Sequence, residues 1–364
     1  MKFRCERDVL LDALGIVMRA TATRGGSLPV LSGVRLEVAG DVLHLAGSDL
    51  DLTIQVQTPV AGIEPGVSVI PARLLTDIVR AVEPGAVKVE ADGAEASISA
   101  GRSQFAVRVL PAEEFLKLPE PTGEAISLAA SELTRALHQV VPAASHDDAR
   151  PILTGVLMSS EGDGVRLVAT DSYRLAMRDL PGSHFLQAGQ QVLLPSRALG
   201  EVSRILGGVE EVGLRLGTDE ASFESGSVRL TTRLIEGEFP NYRQLIPASS
   251  PNRLVIEKEP FLDALRRVKL LAREATPVRL ALRADGIELT AITQDVGQAQ
   301  EQVDAKYEGT EMVVAFNPEF LIDGIEATPG DQVLLETMDA LKPATIRPVE
   351  GTDFLYLLMP VRVS

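Results

Sequence analysis

The chain has 364 residues, 45% hydrophobic and 24% charged, the balance of an ordinary soluble globular protein, with no apolar run long enough to span a membrane and no signal-peptide core in MKFRCERDV. A single cysteine, Cys5, excludes an internal disulfide framework and fits a reducing cytoplasm. The formal net charge of −16 points away from nucleic acid, whose binders carry a basic domain, unless Arg and Lys cluster locally.

In chain order, a short strand leads to a helix, DVLLDALGIVMRA from Asp8, whose Leu10, Ala13, Leu14, Val17 and Met18 keep helical spacing. A hairpin follows from Leu28, LPVLSGVRLEVAGDVLHLAGSDLDLTI, turning at Ala39-Gly40-Asp41. Then come a second helix, PARLLTDIVRAV from Pro71, and further strands including RSQFAVRVLPAEEF from Arg102. LPEPT, Leu118–Thr122, reads as a linker.

The same order then recurs. SELTRALHQVV predicts a helix capped by Ser131, and RPILTGVLMSSEGDGVRLVATDSYRLAM, Arg150 to Met177, is the hairpin again. PSRALGEVSRIL from Pro195 and SVRLTTRLIEGEF from Ser227 complete the copy. Pro29 and Pro151 stand 122 positions apart, as do Asp49 and Asp171, and Phe115 and Phe239 stand 124 apart. After a second linker, Ile246–Asn252, a weaker third copy begins with EPFLDALRRVKLLA from Glu259, repeating LDAL at Leu262–Leu265 with Pro260 in the first helical turn. PVRLALRADGIELTAI from Pro277, NPEFLIDGIEA from Asn317 and FLYLLMPVRVS follow.

A period near 120 residues is too long for a solenoid unit of roughly 20–50 residues and matches a whole domain of about 100–150. The expected fold class is therefore α+β, three tandem copies of one domain over 1–120, 121–250 and 251–364. Each copy alternates helix, strands, helix, strands, which implies an internal half-domain repeat.

No Walker-type loop, dinucleotide fingerprint, nucleophile elbow or zinc spacing is present, so neither a cofactor nor a metal is expected. His44, His138, His146 and His184 are scattered, and His146-Asp147-Asp148 reads as a solvated loop. Asp171 beside Ser172 and Tyr173 invites a hydrolytic reading, but Asp49 holds the same repeat position, which favours a turn role. No catalytic set is assembled. The basic residues carry more information: Arg19, Arg24, Arg73, Arg80, Arg135, Arg150, Arg197, Arg204, Arg266, Arg267, Lys269 and Arg273 lie on or beside predicted helices, while acids concentrate in turns and strand ends. Asp12, Asp77, Asp263 and the acidic helix from Asn317 to Glu326 run against that pattern.

LVATDSYRLAM (Leu167–Met177), LIEGEFPNYRQLIP (Leu234–Pro247), AFNPEFLIDGI from Ala315, the opening MKFRCERDVLLDAL and the terminal LLMPVRVS closely resemble the bacterial sliding clamp, the β subunit of DNA polymerase III. The likeness runs through the whole chain in register. It implies three similar domains, each with two helices inside and sheets outside, and a head-to-tail homodimer that rings duplex DNA in the cytoplasm. Such a ring holds DNA topologically and needs only a weakly attractive inner wall that contacts phosphates without reading sequence. The basic residues named above, Arg273 excepted, would supply that wall. The family is not enzymatic: it raises processivity by tethering a polymerase, an effective-concentration effect.

The resemblance also implies a partner cleft for short motifs of the replicative polymerase, the clamp loader and repair proteins. By matched position it comprises Leu153, Thr170, Ser172, Tyr173, Arg174, Leu175, Pro240, Gln244 and Leu245 from the second domain. The third domain adds Asn317, Phe320, Leu341, Pro343, Leu357, Leu358, Met359, Pro360, Val361 and Arg362, with Arg174, Asn317 and Arg362 as polar guides. The dimer joint would set Phe105 and Val107 against Leu270 and Leu271. Ser172 and the small Ala275 depart from residues common in relatives, which bears on partner affinity. Other readings stay open at this point: a duplicate clamp whose cleft tolerates an inhibitor, an enzyme with a cryptic site near Asp171 and Tyr173, and a structural ring without DNA.

Overall fold

The computed structural model describes residues 1–22, 28–272 and 276–362, and in it the chain runs three times through one order of elements. The first copy comprises β1 (Lys2–Glu6), α1 (Arg7–Val17), β2 (Gly33–Ala39), β3 (Val42–Ser48), β4 (Leu52–Pro59), β5 (Ala61–Glu64), β6 (Gly66–Pro71), α2 (Ala72–Ala81), β7 (Ala86–Asp92), β8 (Glu95–Ala100) and β9 (Ser103–Arg108). The second has β10 (Ile126–Ala129), α3 (Ala130–Val140), β11 (Gly155–Glu161), β12 (Gly164–Thr170), β13 (Arg174–Pro181), β14 (Gln191–Pro195), α4 (Ser196–Ile205), β15 (Glu211–Leu216), β16 (Glu220–Ser225) and β17 (Val228–Arg233). The third has β18 (Asn252–Glu257), α5 (Lys258–Lys269), β19 (Val278–Arg283), β20 (Gly286–Thr293), β21 (Gly297–Val303), β22 (Ala305–Glu308), β23 (Met312–Phe316), α6 (Pro318–Ala327), β24 (Gln332–Thr337), β25 (Ala344–Pro348) and β26 (Phe354–Leu358).

Local chemistry accounts for these elements. The helical spacing buries Leu10, Ala13, Leu14 and Val17 of α1 and Phe261, Leu262, Ala264, Leu265 and Val268 of α5. Each hairpin closes on a two-residue turn, at Gly40-Asp41, Gly162-Asp163 and Ala284-Asp285. Gly40 and Gly162 take φ of 59° and 53°, the left-handed backbone that such tight turns demand. Alternation does the rest: Val278, Leu280 and Leu282 of β19 point into the core and the residues between them do not. Ser131 departs from its expected place. The helix α3 starts at Ala130, so Ser131 lies inside the first turn instead of capping it.

Every strand pairing is antiparallel, and the sheets show how the copies join. A five-stranded sheet, β5-β1-β7-β8-β9, and a four-stranded one, β21-β20-β19-β23, each come from a single copy. The eight-stranded sheet β10-β15-β16-β17-β4-β3-β2-β6 fuses half of the first copy to half of the second through β17 and β4. The nine-stranded sheet β14-β11-β12-β13-β26-β25-β24-β18-β22 fuses the second to the third through β13 and β26. Half-domain sheets are thus the building units. By repeat position β9, β17 and β26 correspond, and so do β4, β13 and β21. Two of these six strands, β9 and β21, end their sheets with a free edge among the described residues.

The chain forms two bodies, Met1–Thr134 with Glu201–Leu234, and Arg135–Gly200 with Ile235–Ser364. The five- and eight-stranded sheets lie in the first and the nine- and four-stranded sheets in the second, so the middle copy contributes to both. No helix among the described residues is long and apolar enough to cross a membrane.

Candidate functional site

The turn between β12 and β13 organises the site. Asp171, 9% exposed, accepts the backbone N–H of Tyr173 at 2.9 Å and of Arg174 at 3.0 Å through one carboxylate oxygen. That closes an Asx turn, with Ser172 held at φ 80°. Asp49 does the same in the first copy, accepting from Asp51 at 3.2 Å and Leu52 at 2.9 Å, with Leu50 at φ 87°. In the third copy Asp295 takes φ 63°. Leu50, Ser172 and Asp295 are the non-glycine residues of positive φ among those described, and they stand 122 and 123 positions apart. The bend is therefore a property of the repeat. The second oxygen of Asp171 accepts Arg174 Nε, so the carboxylate serves the turn with one oxygen and the guanidinium with the other.

Arg174 carries the network inward. Its Nε donates to Asp171 at 3.0 Å, its Nη1 donates to Asp323 of α6, and the same nitrogen lies 3.4 Å from the Tyr356 hydroxyl oxygen. The guanidinium stacks 4.2 Å from the centre of the Phe320 ring. Tyr356 in turn donates to the Phe320 carbonyl at 2.9 Å. Burial disfavours the charged guanidinium, but Tyr356, Asp323 and Asp171 together outweigh it and hold the Arg174 pKa above its ordinary value. Burial likewise pushes the Tyr356 hydroxyl up, which keeps it protonated and able to donate. A Cβ on Gly324 of α6 would lie 2.5 Å from Tyr356 Cδ1, which accounts for a glycine in mid-helix. Arg174 was expected as a polar guide facing a partner; at 7% exposure, with Nε and Nη1 engaged, it is a buried strut.

Beside this strut lies a groove of about 650 Å³. Of the residues expected there, Tyr173, Asn317, Phe320, Met359, Pro360 and Val361 line it. The terminal segment is pinned by its backbone, Met359 N–H to the Tyr173 carbonyl at 2.9 Å and Val361 N–H to the Ala315 carbonyl at 2.7 Å. Asn317 caps α6, accepting from Glu319 N–H at 2.9 Å and Phe320 N–H at 3.4 Å. Ala272, Thr276, Pro277, Pro318 and Glu319 complete the lining; sequence reasoning missed them.

Other expected cleft residues fall elsewhere. Leu175 and Leu357 belong to a core cluster with Leu157, Val168, Leu193 and Tyr242, and Leu153, Thr170 and Leu358 are also buried. These side chains are buried in the core and do not line the groove. Pro240, Gln244 and Leu245 are exposed on the segment that carries Tyr242. Leu341 and Pro343 stand in the β24–β25 loop outside the groove lining, and Arg362 is exposed beside Val361. Ser172 is exposed, its hydroxyl receiving Arg150 Nη1 at 3.2 Å.

The expected basic residues do lie on or beside helices, but acids meet them there. Arg73 and Arg80 of α2 share Asp77, at 4.0 and 3.0 Å. Arg19 lies 3.1 Å from Glu201, which also holds Arg204 of α4. Arg150 pairs with Asp147 at 2.9 Å. On α5, Arg266 reaches Glu326 at 2.7 Å, Arg267 takes both Glu301 oxygens of β21 at 2.5 and 2.7 Å, and Lys269 reaches Glu319 at 2.6 Å. The Arg267 bond holds the Glu301 carboxyl below its usual range. Arg135 and Arg197 are exposed on α3 and α4; Arg24 and Arg273, like Ala275, lie outside the described residues. Solvent screens the exposed pairs among these, while Glu201 is buried. At the expected joint, Phe105 is half-buried on the free edge of β9, Val107 is buried, Leu271 is half-buried, and Leu270 is 80% exposed just past α5. Among the described residues no group of three or more His, Cys, Asp or Glu is placed to hold a metal ion.

Three family models match the chain: the N-terminal domain of the DNA polymerase III beta subunit over 1–119, its central domain over 127–241 and its C-terminal domain over 243–362. The chain belongs to this family. It is 36% identical to the beta sliding clamp of Streptomyces coelicolor, with all of both chains covered. The crystal structure of the Bacillus subtilis DNA polymerase sliding clamp superposes with a TM-score of 0.92 at 29% identity, again over all of both chains. A Pseudomonas aeruginosa sliding clamp bound to griselimycin is 30% identical, with a TM-score of 0.89 and full coverage of each chain. The three tandem domains and their antiparallel α+β build, expected from the repeat, are therefore those of the family.

Proposed function

We propose that this chain is a DNA sliding clamp: a non-catalytic processivity factor that closes with a second copy around duplex DNA, tethers the replicative DNA polymerase and docks loader and repair proteins in the groove beside Arg174. The domains would run 1–120, 121–250 and 251–364. The observation that carries the reading is the pair of free edges. Inside the chain, β17 joins β4 and β26 joins β13, with Thr232 opposite Leu52 and Leu358 opposite Arg174. The corresponding strands left over, β9 and β21, are the ends that a head-to-tail partner completes, a heterologous contact that closes. By repeat position the joint would set Val107 opposite Gly297 and Phe105 opposite Ala299, with Leu270 and Leu271 nearby. Gly101 and Gly226, both at φ 56°, mark the equivalent turns before β9 and β17 and support that register. Main-chain pairing of two long free edges also removes an aggregation hazard.

The basic residues on helices of all three copies fit a wall that attracts phosphate without reading bases. The groove is mostly apolar with a few polar groups, as suits a short peptide with one or two buried anchors. The deciding experiment is retention on nicked circular DNA after loading by a clamp loader, before and after linearisation. A clamp stays on the circle and slides off the linear form; equal retention on both would replace topological holding with ordinary binding.

A further inference from the structure

We infer that Asp323 and Tyr356, neither of which lines the groove, are positioning residues that set its affinity for a short peptide by fixing Phe320 and the Tyr173 turn on one shared guanidinium. The inference deepens the proposed cleft reading and rests on it. Two walls of the groove come from separate elements, Tyr173 from the β12–β13 turn and Phe320 from the first turn of α6. Both meet at Arg174. Asp171 links the guanidinium to the backbone of the Tyr173 turn, while Asp323 and the stacked Phe320 ring link it to α6. The Tyr356 hydroxyl sits where these lines cross: it accepts from Arg174 and donates to the main-chain carbonyl of Phe320. Gly324 lets the Tyr356 ring lie against α6, so the hydroxyl reaches the helix at a fixed depth.

A wall held in place before the peptide arrives spares the complex the cost of ordering it. Removing the Tyr356 hydroxyl would leave the Phe320 carbonyl without that donor and loosen the guanidinium behind the ring. The chemistry expected of the ligand is therefore an apolar side chain seated on a rigid Phe320, between it and Tyr173.

The test is titration of the full-length protein with a fluorescent synthetic peptide of the replicative polymerase's clamp-binding segment, well below each variant's melting temperature. Tyr356→Phe should weaken binding about five- to tenfold, the worth of one hydrogen bond. Asp323→Asn, which keeps an acceptor oxygen, should recover much of the loss seen in Asp323→Ala. Coupling is the decisive readout: Phe320→Ala/Tyr356→Phe should bind no more weakly than Phe320→Ala alone. Wild-type affinity in Tyr356→Phe, or losses that simply add, would overturn the inference. Should Tyr356→Phe not fold, Asp323→Ala against Phe320→Ala gives the same cycle. Unchanged binding in Phe320→Ala would remove the cleft wall itself, and the inference with it.

Discussion

At the scale of single residues, the site is shaped by groups that face away from it. Asp171 serves two backbone donors and a buried guanidinium at once. Its replacement by Ala removes one of the two carboxylates that hold Arg174; Asp323 remains, so the cost should fall below the roughly 3–5 kcal/mol of a buried charge left unpaired. Denaturant unfolding should show that loss, accompanied by weaker peptide binding. Gly324→Ala sets two effects against each other. Helix propensity would improve by about 0.8–1 kcal/mol, but the new Cβ meets the Tyr356 ring at 2.5 Å, inside any real contact. Overpacking of that kind costs about 1–3 kcal/mol, so the expected result is net destabilisation by chemical unfolding. A more stable variant would show that the ring is free to move.

At the scale of elements, strand edges decide how the copies connect. The free edges of β9 and β21 are six and seven residues long, enough for a full ladder. Phe105→Asp puts a charge at the proposed joint and should leave monomers in sedimentation at micromolar concentration, where the wild type should run at twice the chain mass. A monomeric wild type would rule out the assembly. The terminal segment is a second such element, held to the Tyr173 and Ala315 carbonyls by its backbone and lining the groove with Met359, Pro360 and Val361. Burying one Leu-sized anchor contributes about 1.5–3 kcal/mol, a substantial share of the roughly 4–8 kcal/mol of a millimolar to micromolar complex. Deletion of Met359–Ser364 should therefore abolish binding of a polymerase peptide in calorimetry and leave the dimer intact.

At the scale of the whole molecule, the acidic balance and the proposed DNA path are compatible because charge is local. The basic side chains ride on or beside helices of every copy, several of them in exposed pairs with a neighbouring acid that solvent screens. Reversing Arg73, Arg80, Arg204, Arg266 and Arg267 to Glu should weaken DNA association and flatten its salt slope by roughly one unit for each phosphate no longer neutralised. An unaltered slope would sink the basic-wall idea.

Sequence alone determined the repeat, the helices and the hairpins, because these depend on residues close in the chain: apolar spacing, two-residue turns and the Asp of the recurrent bend. It also pointed, by resemblance, to Tyr173, Phe320 and Met359 as neighbours. Only the tertiary structure decided which side chains stay open and which are buried. Arg174, Leu175 and Leu357 were legible as site residues, yet their side chains are buried, since burial depends on the joining of β13 to β26. Asp323 and Tyr356 gave no signal in the sequence. Their role exists because α6 and β26, separated along the chain, converge on one guanidinium, and no periodicity encodes that meeting.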